Sequence, residues 1–548
     1  MTSVSFILLI VVAAIAGMGS VLDEAQFHRP LVACTLTGLV LGDMTTGILL
    51  GGTLEMLALG WMNAGAAMAP DAALASVVST ILVIAGHQSI GAGIALAVPL
   101  AAAGQALTIF VRTVTVFFQH LADRFALQGS ASGIEMCHAA GLFLQAIRVA
   151  VPAAIVALVA GTDPVHAMLG SIPEVITRGL QVSGGFIVVV GYAMVINKMN
   201  ATPFMPYFLL GFLLAVFTNV NLIGIGAVGL ICAYFHIKGL ARDPAAQDPG
   251  GGTGNAVDAV DDSGDSDWVQ GGGAMDRKVS KGDLISVFIR SNFLSGSFNF
   301  ERMQAIGFCV SMIPALRRVY KDDPQAYRES LQRHLEFFNT QPFLATPIMG
   351  IIAAMEEKKA VGAAISNAAI SGVKVGLIGP LAGVGDPIFW GTLRPVLAAL
   401  GAGIALTGSI VGPLLFFVAF NLIRLLTNWY GVMYGYAKGT ELVDEMGGNK
   451  MRCLTEGSSV LGLLVMGALV AKWTTVNMPL VLSTYTDSRG EVIATTVQSI
   501  LDSLMPGIVP LLMTFACMYF LKKGVNPLIL ICGLFALGIV GYAAGLFA

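Results

Sequence analysis

Carboxylates, amides and imidazoles recur in this chain, in its first part inside almost wholly apolar sequence and in its second at the edge of apolar runs. In residues 1–242 they are Asp23, Glu24, Gln26, His28, Glu55, Asp71, His87 and Gln88, and in residues 275–548 they are His334, Glu336, Asn339, Gln341 and Asp386, with Trp390 close by. Polar and ionisable side chains inside apolar segments are costly in a bilayer and are functional candidates by default. Carboxylates accept hydrogen bonds, amides both donate and accept, and an indole supplies a flat wall. That set suits a neutral, hydroxyl-rich solute such as a sugar, and it needs neither a metal nor a nucleophile. Each residue also has a plainer role open to it, as a helix cap or as partner to Arg29, Arg302 or Arg394. Asp71, Gln88 and Asp386 stand out because each lies beside an expected helix break. Arg148 and Arg424 are expected to satisfy carboxylates across helices.

The elements that must position these groups are membrane helices. The 548 residues are 56% hydrophobic and 11% charged, with a mean hydropathy of +0.79, whereas soluble domains carry about 25% charge. Apolar runs near the ~20 residues needed to cross a bilayer recur at 209–235, 396–420, around 460–470 and at 508–521. The 65 glycines suit helices in close contact, since lipid gives no hydrophobic drive for association. The seven cysteines lie singly at 34, 137, 232, 309, 453, 517 and 532, with no metal or disulfide spacing. A formal charge of −3 without a basic patch argues against nucleic acid. Phe6 to Met18 lacks a preceding basic residue, and Asp23-Glu24 follow, so it reads as a retained first span rather than a signal peptide.

Residues 243–274 hold seven Asp, eight Gly and no Lys or Arg, the composition of an acidic, Gly-rich, flexible linker spanning about 30 Å root-mean-square. Lys238 and Arg242 before it and Arg277, Lys278 and Lys281 after it place the junction in the cytoplasm by the positive-inside bias. Lys522-Lys523 then leaves the C-terminus outside. Met275 fits the start of a formerly separate polypeptide, and an engineered join fits equally. Residues 275–342 mix aromatics with charges and read as an amphipathic arm on the membrane face or clamped on the first body. Residues 343–548 form the second membrane body.

Several apolar stretches are too short to cross. Ala72 to Ala85 would reach ~21 Å as a helix against a ~30 Å hydrocarbon core, and Gly86-His87-Gln88-Ser89 then separates it from the apolar run Ile90 to Ile109. The expected arrangement is two half-length helices meeting at a polar turn, tolerable in a membrane only against protein or a wet cavity. Thr340-Gln341-Pro342, a short run to Glu356 and a second run to Gly385-Asp386-Pro387 repeat the plan. Asp71 lies 41 positions after Pro30 and Asp386 lies 44 after Pro342, which suggests a degenerate internal repeat, with an inverted relation between the halves as the form to look for. Paired short spans of this kind mark alternating-access carriers. The fold class is therefore an all-α membrane protein of two multi-helix bodies with re-entrant or broken helices. No phosphate-binding loop with Lys and Ser or Thr is present to drive pumping by ATP.

At these residues the chain resembles a known family. The stretches Gly17 to Pro30, Gly51-Gly52-Thr53-Leu54-Glu55-Met56, Pro70-Asp71-Ala72 and Gly86-His87-Gln88-Ser89 are similar to the IIC subunit of the mannose family of phosphoenolpyruvate-dependent phosphotransferase systems. Ser297 to Gln304, His334 to Pro342 and Gly376 to Arg394 are similar to its IID subunit. Residues 1–242 and 275–548 are covered in this way. The resemblance implies a multi-pass permease of the bacterial inner membrane that carries a hexose, with mannose favoured and glucose and 2-amino hexoses expected. Soluble IIA and IIB partners would supply the phosphate, so no cofactor is expected in this chain. It further implies a trimer embedded in lipid, with a mobile sugar-carrying core moving like an elevator against a fixed scaffold. The departure is the fusion of two subunits that are usually separate. An ion-coupled sugar symporter and a non-transporting membrane scaffold are the competing readings.

Overall fold

The computed structural model describes residues 2–61, 69–160, 175, 178–179, 182–183, 186, 188–198, 202–218, 220, 222–240, 278–363, 365–439, 449–474, 476–486, 492–525 and 527–547. The expected linker at 243–274 lies outside the described residues. Among the described residues the architecture is helical, with one two-stranded antiparallel hairpin of Val481–Thr486 and Val492–Thr496. Among the described residues five helical segments are long and apolar enough to cross a membrane: Ser3–Leu22 (α1), Ile90–Leu127 (α5), Ala131–Val159 (α6), the run Asn367–Ala405 and Val411–Lys438. A sixth, bent span is formed if Val497–Leu504 and Ile508–Lys522, which meet at 81°, count together.

Local chemistry explains the first body. Helix α1 begins where the Thr2 hydroxyl accepts from the Ser5 amide and stops where Asp23 adopts a left-handed φ of 50°. Gln26 also has a positive φ, so residues 23–29 form a tight polar connection before Pro30–Leu41 (α2). Proline opens α2 because its missing N–H would have been unpaired there anyway. Met44–Leu57 (α3) packs along α2 at a Gly38–Gly47 crossing, where a Cβ on Gly47 would lie 2.5 Å from the Cys34 carbonyl. Ala72–Ile84 (α4) starts at Asp71, whose carboxylate accepts from the Ala73 and Leu74 amides.

Helix α4 has 13 residues and is as short as its sequence suggests. Its neighbour is not half-length: α5 continues to Leu127 for 38 residues, roughly 57 Å. Pro99 lies inside α5 without ending it. The far end of α5 has outrun the apolar stretch, and its polar groups meet the second body. Two expected spans also divide. Residues 209–235 fall in Met205–Phe217 (α8) and Leu222–Leu240 (α9), the polar sequence Thr218-Asn219-Val220-Asn221 separating them; Val188–Lys198 (α7) precedes the pair. Residues 396–420 break at Gly408, whose φ of 79° turns the chain.

The second body opens with Lys281–Ser291 (α10), Ala305–Val319 (α11) and Pro324–His334 (α12). A Ser280–Asp283 capping box starts α10. A short turn, Pro342–Leu344, leads into Ala345–Ala360 (α13). The break expected at Gly385-Asp386-Pro387 is absent. Asn367–Gly385 (α14) passes through a π-helical stretch, Asp386–Leu393, into Arg394–Ala405 (α15). Widening the turn accommodates Pro387, which has no N–H to give, without parting the helix. Asp71 therefore caps a helix start while Asp386 lies mid-run, so the matched spacing places the two carboxylates differently.

The two bodies interleave. Val411–Lys438 (α16) packs on α13 and α15, Asn449–Trp473 (α17) packs against α8 and α9 of the first body, and α15 packs on α3. Ile508–Lys522 (α19), which follows Val497–Leu504 (α18), lies against α7, and Pro527–Ala543 (α20) ends the order. One core joins Ala122, Ala126, Ile134 and Cys137 of α5 and α6 to Leu284, Val287, Phe308 and Ile313 of α10 and α11. The arm is thus clamped on the first body. Arg302 reaches Asp123 at 2.8 Å, Arg290 reaches Glu135 at 2.6 Å, and His138 Nδ1 lies 2.7 Å from the Ser297 hydroxyl.

Candidate substrate cavity

A cavity of about 180 Å³ opens where the two bodies meet. The end of α1 supplies Val21 and Asp23, and α5 supplies Arg112. The arm supplies Ser295, Phe298 and Gln304, and its last segment, entering Pro342, supplies Asn339, Thr340 and Gln341. Ala382, Asp386 and Trp390 come from α14 and the π-helical stretch. Five of the residues picked from sequence, Asp23, Asn339, Gln341, Asp386 and Trp390, are brought together here. A second cavity of about 20 Å³ shares Asp23 and Arg112 and adds His28 and Asp71, beside Ser20, Trp61, Thr108 and others. That is room for roughly one water.

Backbone and side chains lock the wall. Gln341 Oε1 accepts from the amides of Phe343 at 2.8 Å and Leu344 at 3.0 Å, which leaves its buried Nε2 without a partner. Gln304 ties two segments: its Nε2 donates to the Thr340 carbonyl at 3.1 Å while its Oε1 accepts from the Thr340 amide at 3.0 Å. The Thr340 hydroxyl donates to the Ile378 carbonyl on α14 at 2.9 Å. The Trp390 indole packs edge-on to Phe343 and carries the Arg394 guanidinium at 4.3 Å from the ring. A flat apolar face beside convergent amides and carboxylates can hold a pyranose ring and its hydroxyls.

Charge in the site is largely balanced. Arg394 donates to both oxygens of Asp23, at 2.9 and 3.1 Å, and Gln26 Nε2 donates to Asp23 Oδ1 at 3.3 Å. His28 Nε2 lies 3.4 Å from the same oxygen. Asp71 pairs with Arg148 across helices, and its carboxylate also touches Thr108.

The other candidates stand outside both cavities. Glu55 pairs with Arg29, with Nε at 2.8 Å, and accepts from the Leu31 amide at 3.1 Å. Glu24 accepts from Arg424 at 2.9 Å. Gln26 donates to the carbonyls of Asp23 and Glu24. His87 is exposed, and Gln88 donates to the Gly86 carbonyl at 2.9 Å inside its own turn. His334 is buried beside Glu356 at 2.8 Å, where Arg333 and Tyr320 also converge. Glu336 accepts from the Ser371 hydroxyl at 2.9 Å.

Sequence reasoning did not single out Arg112, Ser295, Phe298, Gln304 or Thr340. Arg112 was open to the rule that a charge inside an apolar run is a candidate. Of the other four, Phe298, Gln304 and Thr340 lie in stretches that carry the family resemblance, but nothing marks them or Ser295 as site residues until the arm is folded against α5.

Comparison with known proteins gives two matches along the chain. Residues 3–235 match the family model described as the PTS system sorbose-specific IIC component. Residues 278–547 match the model described as the PTS system mannose/fructose/sorbose family IID component. The mannose-specific EIID component of Escherichia coli (strain K12) is 62% identical over 271 residues, which cover 50% of this chain and 96% of that protein. The mannose-specific EIIC component of the same organism is 65% identical over 237 residues, 43% of this chain and 89% of that one. A solved structure described as a membrane protein is 62% identical, covering 50% of this chain and 99% of its own, with a TM-score of 0.48. With separate relatives accounting for its two bodies, the chain belongs to the mannose/fructose/sorbose family of phosphotransferase-system permeases and carries the IIC and IID components in one polypeptide.

Proposed function

We propose that this chain carries mannose across the bacterial inner membrane, and with it glucose and 2-amino hexoses, coupled to phosphorylation by separate soluble IIA and IIB proteins. The observation that carries this reading is the cavity at the junction of the two components, where Asp23, Asn339, Gln341, Asp386 and Trp390 converge. Trp390 stacks on the less polar ring face, while Asn339, Gln341 and Asp386 take the hydroxyls. Mannose and glucose differ at C2, so one hydrogen bond there sets the preference. The chain's own part is to bind and orient the sugar; the phosphoryl group passes from a phosphohistidine on the partner as its N–P bond breaks, an O–P bond to the sugar forms and the hydroxyl proton leaves to the freed histidine nitrogen or to water.

The resemblance in sequence supports a trimer in which a sugar-carrying core moves against a fixed scaffold. The basic residues flanking 243–274 support a cytoplasmic linker. The test is uptake in proteoliposomes holding the purified chain. Uptake that needs IIA, IIB and phosphodonor is expected. Uptake that follows an imposed proton or sodium gradient without them would instead establish an ion-coupled symporter.

A further inference from the structure

Arg112 lies midway along α5, is only 3% exposed and borders both cavities. Its Nε has no hydrogen-bond partner, and among the described residues no hydrogen bond or ion pair engages its other N–H groups. The Phe298 ring covers the guanidinium face at 4.6 Å. Such stacking uses the face of the cation and leaves its N–H edges unspent. Asp23 shares both cavities but is held by Arg394. The remaining carboxylate on the larger cavity, Asp386, comes from the opposite body. Gln341 Nε2 adds a second buried donor without an acceptor.

A desolvated cation and unmatched donors beside a substrate cavity call for an anionic acceptor. Sugar hydroxyls can accept hydrogen bonds but bring no charge. A phosphate monoester supplies both, in the planar two-point geometry a guanidinium favours. We propose that the Arg112 end of the cavity is a phosphate-ester subsite that holds hexose 6-phosphate, the hexose part resting on Trp390, Asn339 and Asp386. This rests on the hexose reading above. The 6-hydroxyl is assigned because it is the primary, least hindered acceptor and is common to mannose and glucose. Bound there, the product would compete with fresh hexose and slow uptake as it accumulates.

The experiment titrates the purified full chain calorimetrically with mannose, mannose 6-phosphate and inorganic phosphate, in wild type, Arg112→Gln and Arg112→Lys. Mannose 6-phosphate is expected to displace mannose, and to bind more tightly than inorganic phosphate. The ratio of mannose 6-phosphate affinity to mannose affinity is expected to fall about tenfold in Arg112→Gln and less in Arg112→Lys, which keeps the charge but loses the fork. Wild type that binds mannose but ignores its 6-phosphate overturns this inference alone, as does an unchanged ratio in Arg112→Gln or inorganic phosphate binding as tightly as the ester. Absence of any mannose or glucose binding to wild type overturns the hexose reading itself.

Discussion

At the scale of single residues, burial sorts the polar groups into those that have spent their hydrogen bonds on protein and those that face the cavity. Asn339 belongs to the second class, so Asn339→Ala is expected to weaken hexose binding by roughly 3–10-fold, the loss of one hydrogen bond. Gln88→Ala should bind hexose as wild type does, because that amide serves its own turn. Calorimetry on both variants checks the sorting, and a loss confined to Gln88→Ala would reverse it. Asp71 and Arg148 form a buried pair, and removing one partner strands the other charge. Arg148→Ala is therefore expected to cost about 3–5 kcal/mol, read as a lowered melting temperature in detergent.

The cluster at the end of α12 adds a pH dependence. Burial lowers His334 from 6.5 to about 4 in spite of its Glu356 neighbour. Burial works to raise Glu356, but its hydrogen bond from His334 and the charge of Arg333 outweigh that and hold it below the usual carboxylate range. His334 stays neutral in the folded chain while the unfolded chain takes up a proton below pH 6.5, so stability falls as pH drops from 6.5 towards 4. Glu356 acts in the same sense below 4.5, since only the unfolded carboxylate is protonated there. Melting should decline between pH 7 and 4.5, and His334→Asn should flatten that decline; an equally steep profile in the variant would assign it elsewhere. Which residues could be candidates was legible where a polar group interrupts apolar sequence, as Glu55 and Asp71 do. What each one met was not, since Glu24 finds Arg424 400 positions away and Asp23 finds Arg394 371 positions away.

At the scale of elements, short spans were legible from length: α2 and α4, with 12 and 13 residues, are too short to cross unaided. The reach of α5 past its apolar stretch was not, because its last turns are stabilised by contacts with the arm rather than by their own hydropathy. Nor was the π-helical passage at Pro387, where proline in sequence reads equally as a stop or as a widened turn. The packing of α17 on α8 depends on paired glycines: a Cβ on Gly467 would sit 1.9 Å from the Phe208 carbonyl, and one on Gly211 would sit 1.8 Å from the Leu464 carbonyl. Gly467→Val should therefore part the two helices, with a large loss of folded yield and melting temperature. Gly226, whose added Cβ would meet nothing within 4 Å, is the control, and Gly226→Ala should leave both unchanged or slightly raised. Equal tolerance at both positions would show that the close crossing does not hold the helices together.

At the scale of the whole molecule, composition alone divided the chain at its acidic stretch, but the interleaving of the two bodies was invisible, because helix partners are chosen by shape across the full sequence. That interleaving decides what the covalent join contributes. Asp23–Arg394, Glu24–Arg424, Asp123–Arg302 and Glu135–Arg290 all cross from one body to the other, and α17 lies against both α8 and α9. Helix contacts of this extent hold the bodies together on their own, while a covalent join adds only a raised effective concentration of one half near the other. A protease site placed within residues 243–274 and cut after purification should leave the two halves co-eluting in size-exclusion chromatography at micromolar protein, with hexose affinity within about twofold of the uncut chain. Separation on cutting would mean that the interface is too weak to persist without the tether, and that the cavity between the bodies exists only because the chain is one.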